Sequence, residues 1–366
     1  MLCLAFCITE LNVGGAEGVM CELAVRLFER GHSVVVYSLQ PRPAGFSFAL
    51  RLEAAGIPVK FLNINGIFSL PAGLFRLRKL LIEQSPDVFV SFMFHANFLG
   101  RLAAYFAGIN HVVSCIRVAE HSAGWHLFLD KLTSGFVEKY ICVSDSVAEF
   151  SKTTGGLPEQ KISVIRNGIA TTLEIKNENE IKNENENENS NKIIFVGRLD
   201  YQKGVDWLIQ TLPAWLGKLD GWEFLIVGDG ILRNKLTSQI DVSLRNRVKI
   251  LGWRKDAEAL IAESKILLLS SRWEGMPNVI LQAMNAAKPI VATNAEGVKE
   301  LLGNNAEIQT CQFGDTELFA KKILDFANNP TLSKKIGQEN RMRIITEFSI
   351  DKMIQNYEQL LIELNS

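Results

Sequence analysis

The stretch Ser271-Arg-Trp-Glu-Gly-Met-Pro-Asn-Val-Ile-Leu-Gln-Ala-Met284 follows the apolar run 266–269, and its order of residue types decides the reading of the chain. A strand ends, Gly275 and Pro277 turn the backbone, and a helix is predicted to begin near Pro277. Proline suits that position because the first-turn amides of a helix have no helical partner anyway. The amides of Asn278, Val279 and Ile280 are then expected free at the positive end of the helix, where an anion such as a phosphate binds well. An ordinary strand-to-helix turn explains the proline but not the acidic Glu274 just before it. A carboxylate repels phosphate, so Glu274 is read as an acceptor for ligand hydroxyls.

Two further junctions of the same kind lie upstream. Val196-Gly-Arg-Leu-Asp-Tyr-Gln-Lys-Gly204 sets two cations, Arg198 and Lys203, on a glycine-bounded turn suited to neutralising a diphosphate. Taken alone, such a turn is more often merely solvated. Leu11-Asn-Val-Gly14-Gly15-Ala-Glu17 joins the first predicted strand to the first helix with paired glycines that let a ligand approach the backbone. It lacks the GxGxxG fingerprint, and Gly228-Asp-Gly230 is too short to supply one, so a nicotinamide enzyme is disfavoured.

Outward from these junctions, β-rich runs alternate with helix-length segments along the whole chain. Strands are predicted at 2–8, 33–39, 57–62, 88–92, 111–116, 140–143 and 162–165, then at 192–196, 223–227, 248–250, 266–269 and 290–292. The helix 16–30, with Val19, Leu23, Val25 and Leu27 on one face and Gly31 after it, shows the pattern between strands. The fold class is α/β, with two Rossmann-like doubly wound parallel sheets. The 366 residues exceed what one core of about 250 to 300 residues holds, so two domains are expected. They are set at 1–173 and 193–347, joined by a polar linker or loop at 174–192, with a C-terminal helix at 348–366 crossing back to the first. The segment 174–192 is a six-residue repeat decaying into Glu-Asn dipeptides, too polar to offset an ordering entropy of about 1 to 2 kcal/mol per residue.

Composition narrows the function. Hydrophobic residues make up 47% and charged residues 22%, with mean hydropathy +0.10, as in a soluble globular protein. The net charge of −1 includes six Glu and three Lys in 174–192, leaving only +2 elsewhere, so no electrostatic footprint for nucleic acid exists. The six cysteines form no CxxC pair and mostly sit in apolar runs, where reduced core thiols are expected. The run 88–109 is interrupted by His95, Asn97 and Arg101, which favours a buried strand and helix over a membrane span. The N-terminus shows no signal-peptide pattern, so a cytoplasmic location is expected, with peripheral contact at the inner face of the membrane held open.

Taken together in register, Gly14-Gly15-Ala16-Glu17, Arg30-Gly31-His32, Cys142-Val143-Ser144, Asn167-Gly168-Ile169, Gly197-Arg198-Leu199, Gly228-Asp229-Gly230, Leu251-Gly252-Trp253 and the Glu274-Gly-x-Pro-Asn segment resemble glycosyltransferase family 4. The resemblance implies retaining enzymes of the GT-B fold, whose two lobes face across a cleft and use nucleotide-diphosphate sugars, here UDP- or GDP-sugars, in cell-surface polysaccharide or lipopolysaccharide synthesis. It places Gly14 and Gly15 near the donor phosphates and acceptor, and Arg198 and Lys203 on the diphosphate. Backbone around Gly252, Trp253 and Arg254 meets the base, while Asn278 and Val279 lie at the donor. Glu274 is the first acidic residue of an E-x7-E motif and holds hydroxyls of the donor sugar. Arg117 falls near the family's reactive-face basic residue, with His95 and His121 as rivals. The pattern breaks at its second acidic position, which is Gln282 where the ribose normally meets a carboxylate. A neutral amide still accepts a hydrogen bond, and a loss of about 1 to 2 kcal/mol lowers donor affinity about 5- to 30-fold. From sequence, Gln282→Glu is therefore expected to tighten donor binding.

No Asp-x-Asp and no metal-spaced His/Cys/Asp cluster occurs, so a metal-independent reaction without cofactor is expected, the nucleotide sugar being a substrate. The partners are a nucleotide sugar and a glycan or lipid-linked acceptor. The segments 66–82, with Arg76, Arg78 and Lys79, and 125–129 either rest on a membrane or pack as ordinary helices. Two other readings stay open at this point: a non-catalytic GT-B accessory subunit and a GT-B sugar-nucleotide epimerase. Oligomeric state is not legible.

Overall fold

The computed structural model describes residues 1–45, 47–121, 124–171 and 191–366. The low-complexity run 174–192 falls almost entirely outside them. The chain forms two compact units, Met1–Asn167 with Asp351–Ser366, and Gly168–Ile350.

The first unit is built on β1 (Cys3–Ile8), β2 (Ser33–Ser38), β3 (Val59–Phe61), β4 (Val88–Phe92), β5 (His111–Ile116), β6 (Lys139–Cys142) and β7 (Ile162–Val164). Their order is β3-β2-β1-β4-β5-β6-β7 and every pairing is parallel. Helices cover both faces, so central strands are buried on both sides; all five residues of β4 are buried. The first helix runs Gly15–Glu29, one residue earlier than its pattern predicts, because Gly31 already sits at φ +91° beyond it. The run 88–109 divides into β4 and the helix Phe94–Ala107. Arg101, fully buried on that helix, is ion-paired to Asp130 at 2.9 Å and donates to Asn97 O and Thr133 Oγ1, each at 2.9 Å. Among the described residues no helix is long and apolar enough to cross a membrane.

The helices Pro330–Glu347 and Ile350–Leu364 are separate, with Phe348 and Ser349 between them, so the C-terminal helix expected at 348–366 starts two residues later. Ile169 accounts for the break. Its amide donates to Phe348 O at 2.9 Å and its carbonyl accepts from Ile350 N at 3.1 Å. The last helix buries Met353, Ile354, Tyr357 and Leu361, and its Glu358 carboxylate accepts from Arg30 at 2.5 Å and His32 Nε2 at 2.9 Å. Leu2 N–H donates to His32 Nδ1, so Nε2 carries the proton given to Glu358.

The second unit contains β8 (Lys192–Val196), β9 (Glu223–Val227), β10 (Val248–Gly252), β11 (Ile266–Leu269), β12 (Ile290–Thr293) and β13 (Thr310–Cys311), ordered β10-β9-β8-β11-β12-β13, all parallel. The two-residue β13 was not predicted; it carries too few side chains for any periodicity to register. Trp215, Phe195, Phe224 and Phe319 centre the core. The six cysteines are free, five buried and Cys3 only half-buried, a correction to the expectation of six core thiols. Burial pushes the thiols of Cys21, Cys115 and Cys311 up to about 12, leaving them unreactive.

Candidate functional site

In a doubly wound sheet, ligands bind outside the carboxyl ends of the strands where the winding reverses. In the second unit that point lies between β8 and β11, which neighbour each other although 69 residues separate Val196 from Ile266 and other elements intervene. The two loops leaving these strands carry Arg198 and Lys203 on one side and Ser270 to Pro277 on the other.

Close approach of the two loops depends on Gly204, which sits at φ +64° with Ser270 O only 1.9 Å from where a Cβ would stand. Only glycine fits. The Ser270 hydroxyl donates to Lys203 O at 2.8 Å, and the Lys203 amide donates to Asp200 Oδ1 at 3.0 Å, so the lysine backbone is held at both ends. Its ammonium donates to Oε1 of Glu274 at 2.5 Å, and the buried Ser271 hydroxyl donates to the same oxygen at 2.6 Å. Glu274 is itself only 6% exposed, which a carboxylate tolerates when paired in this way. Among the described residues no hydrogen bond goes to its Oε2, which remains an acceptor for a ligand hydroxyl. Arg198 is 69% exposed, donates to Gln202 Oε1 at 2.9 Å and lies 3.4 Å from Asp200.

The helix after this loop runs Asn278–Asn285, with Pro277 as its cap and not in its first turn. That geometry corrects the expected anion cradle: the Ile280 amide donates to Pro277 O at 3.0 Å and is not free. Because Pro277 adopts ψ 113°, its carbonyl closes the first turn. Val279's amide has no partner among the described residues.

Sequence reasoning missed Arg272. Its guanidinium meets the Asp206 carboxylate through two bonds of 2.8 and 2.9 Å, donates to Tyr201 O at 2.6 Å, and lies 3.7 Å from the Tyr201 ring and 4.5 Å from that of Phe313. Its amide also donates to Gln202 O at 2.8 Å. Arg272 thus fastens the β11 loop to the loop bearing Arg198 and Lys203. Burial opposes ionisation of Asp206, but Arg272's hydrogen bonds and charge, with two backbone amides, hold its carboxyl below the usual range. The one local signal was an arginine inside the quoted Ser271–Met284 stretch, and nothing local named its partner.

At the end of β10, Gly252 adopts φ +69° and its carbonyl accepts from Gly228 N at 2.8 Å. Trp253 is half exposed, and Arg254 is held by Asp256 through bonds of 2.8 and 2.7 Å. Gln282 donates from Nε2 to Glu258 Oε1 at 2.7 Å. Among the described residues no group of three His, Cys, Asp or Glu could hold a metal ion.

The other candidates belong to the first unit. Gly14 caps the first helix in extended backbone, φ −161°, with Gly15 as the helix's first residue. Arg117 follows β5 and donates from Nη2 to Asn167 Oδ1. Its Nε and Nη1 are buried without a hydrogen-bond partner among the described residues. His95, in the first turn after β4, packs its ring against Phe94 at 5.3 Å; burial, aided by His126, holds it below the ordinary histidine range. The His121 ring packs against Phe150 at 4.6 Å.

Two doubly wound parallel sheets in one chain are the GT-B architecture. Anabaena HepE, solved in complex with UDP-glucose, shares the fold with a TM-score of 0.85 at 21% identity, covering 99% of this chain and 100% of that one. Residues 13–173 match Glycosyltransferase Family 4, and residues 190–329 match Glycosyl transferases group 1. The chain thus carries a Glycosyltransferase Family 4 domain followed by a Glycosyl transferases group 1 domain, and the protein is a glycosyltransferase. It is 26% identical over 328 residues to the UDP-Gal:alpha-D-GlcNAc-diphosphoundecaprenol alpha-1,3-galactosyltransferase of Escherichia coli, covering 86% of this chain and 84% of that one. It is also 26% identical to the GalNAc-alpha-(1->4)-GalNAc-alpha-(1->3)-diNAcBac-PP-undecaprenol alpha-1,4-N-acetyl-D-galactosaminyltransferase of Campylobacter jejuni, over 100% of both chains.

Proposed function

We propose that this glycosyltransferase moves a sugar from a nucleoside-diphosphate sugar, UDP-linked before GDP-linked, to a glycan or lipid-linked saccharide, with retention at the anomeric carbon and without a metal. The observation that carries the reading is the Lys203–Glu274–Ser271 cluster at the switch point of β8 and β11. The relatives named for undecaprenol-linked acceptors support the acceptor class.

On this reading Lys203 and Arg198 face the diphosphate, Glu274 Oε2 accepts from hydroxyls of the donor sugar, and the Gly252–Arg254 backbone meets the base. The acceptor oxygen bonds to the anomeric carbon on the face that the diphosphate leaves, and its proton passes to the departing phosphate oxygen. The chain supplies position and charge stabilisation for that step. Gly14, Gly15 and Arg117, in the first unit, are proposed as functional residues on the resemblance. Arg117 has buried donors without acceptors, which costs free energy until an anion satisfies them. Screening UDP-, GDP- and ADP-sugars by thermal shift tests the donor, since a ligand at about 100 times its dissociation constant stabilises by about 2.7 kcal/mol. No shift with any of them refutes the reading, and product analysis with an undecaprenol-linked sugar then tests the acceptor.

Peripheral membrane contact is proposed for the helix Leu70–Gln84, where Phe75 and Ile82 are exposed beside Arg76, Arg78 and Lys79. Phe68, just before it, is 99% exposed. Flotation with anionic vesicles is expected to show salt-sensitive binding, and its absence removes the idea.

A further inference from the structure

The family pattern has a carboxylate at position 282, where this chain has an amide. The fold brings a carboxylate to the same place from a different helix. Gln282, in Asn278–Asn285, donates from Nε2 at 2.7 Å to Oε1 of Glu258, in the first turn of Ala257–Glu263. Glu258 is exposed and forms no ion pair among the described residues, and no hydrogen bond there reaches its Oε2. The nearest arginine in sequence, Arg254, is already occupied by Asp256.

An amide can donate where a carboxylate cannot, so glutamine at 282 orients a neighbouring carboxylate, whereas glutamate there would set two anions in contact. The chain also runs from Gly252–Arg254, the segment assigned to the base, into Glu258 within four residues. Base and ribose are covalently joined, so one short stretch of chain can meet both. Resting on the nucleotide-sugar reading above, we propose that Glu258 is the carboxylate that accepts the ribose hydroxyls of the donor, with Gln282 as its positioning residue. On this reading Glu258 does the work that the resemblance assigns to a carboxylate at position 282.

Calorimetric titration of the full chain with UDP, GDP and ADP, then with the dideoxyribose form of whichever binds most tightly, tests this. The ribonucleotide is expected to bind about tenfold more tightly than its dideoxy form, the size of one charge-assisted hydrogen bond. Glu258→Gln removes that preference by weakening the ribonucleotide alone. Gln282→Glu adds no affinity, and the double variant Glu258→Gln/Gln282→Glu, which returns the carboxylate to 282, restores the preference. Retained preference in Glu258→Gln, or tightening by Gln282→Glu alone, overturns the role of Glu258 while leaving the donor reading intact. Failure of every nucleotide to bind the parent protein overturns the donor reading itself, and this inference with it.

Discussion

Replacing Lys203 with Met removes the ammonium from a site where the side chains of Lys203 and Glu274 are 18% and 7% exposed. Breaking a buried ion pair from one side costs about 3–5 kcal/mol, because the charge left behind has lost its partner. The residual exposure of Lys203 and the surviving 2.6 Å bond from Ser271 soften that penalty to about 2–3 kcal/mol. Glu274→Gln keeps a hydrogen-bonding side chain and is expected to cost about 1–2 kcal/mol. The double variant loses neither charge singly, so its cost falls short of the sum of the two by about 1–3 kcal/mol. Activity follows a different rule: if Lys203 meets the developing phosphate charge, each variant containing Lys203→Met loses about 100-fold in kcat/KM, close to 3 kcal/mol, with no recovery in the double. Urea titrations of the four proteins measure the first pattern and steady-state transfer assays the second. Stability losses that add within about 0.5 kcal/mol would show that the two side chains are not coupled, and the description of the cluster would be wrong.

Asp130→Ala strands the fully buried Arg101 and is expected to destabilise by about 3–5 kcal/mol in urea titration, with partial recovery when Arg101→Met is added. Gly204→Ala forces a Cβ against Ser270 O at a left-handed position and should cost more than about 1 kcal/mol, whereas Gly217→Ala, in open space, stays within about 0.5 kcal/mol; equal melting temperatures would refute the close approach. Asp206 is held below its unfolded value of about 3.9, so its contribution is complete above that pH and lost as pH falls through the lower folded value. Asp206→Asn is accordingly less stable than the parent near neutrality, and the gap closes in urea midpoints measured on acidification below about pH 4.

The alternation of apolar runs with helix-length segments was enough to locate twelve strands, because burial on both faces writes a continuous apolar signature into each one. Ends were less legible: β3 is shorter than its predicted 57–62, and β10 extends to Gly252 beyond the predicted 250. Strand ends depend on which neighbours are there to pair, and so do two-residue strands such as β13. The residue types of the candidate site were also legible, since a lysine or glutamate at a strand-to-helix junction stands out locally. Their partnerships were not. Lys203 and Glu274 lie 71 positions apart, and they meet because the sheet order puts β8 beside β11.

Gln282 shows the same division most sharply. As a residue in a line it is a missing carboxylate, and restoring glutamate should then tighten donor binding. In the folded chain it donates to Glu258, so the same substitution now places two anions side by side and the expectation reverses. Periodicity and composition act over a few residues and determine which elements form and which face each one buries. Side-chain pairing acts over a few ångströms of space, and only the packing of elements distant in sequence decides which charge is neutralised, which is held, and which is left for a ligand.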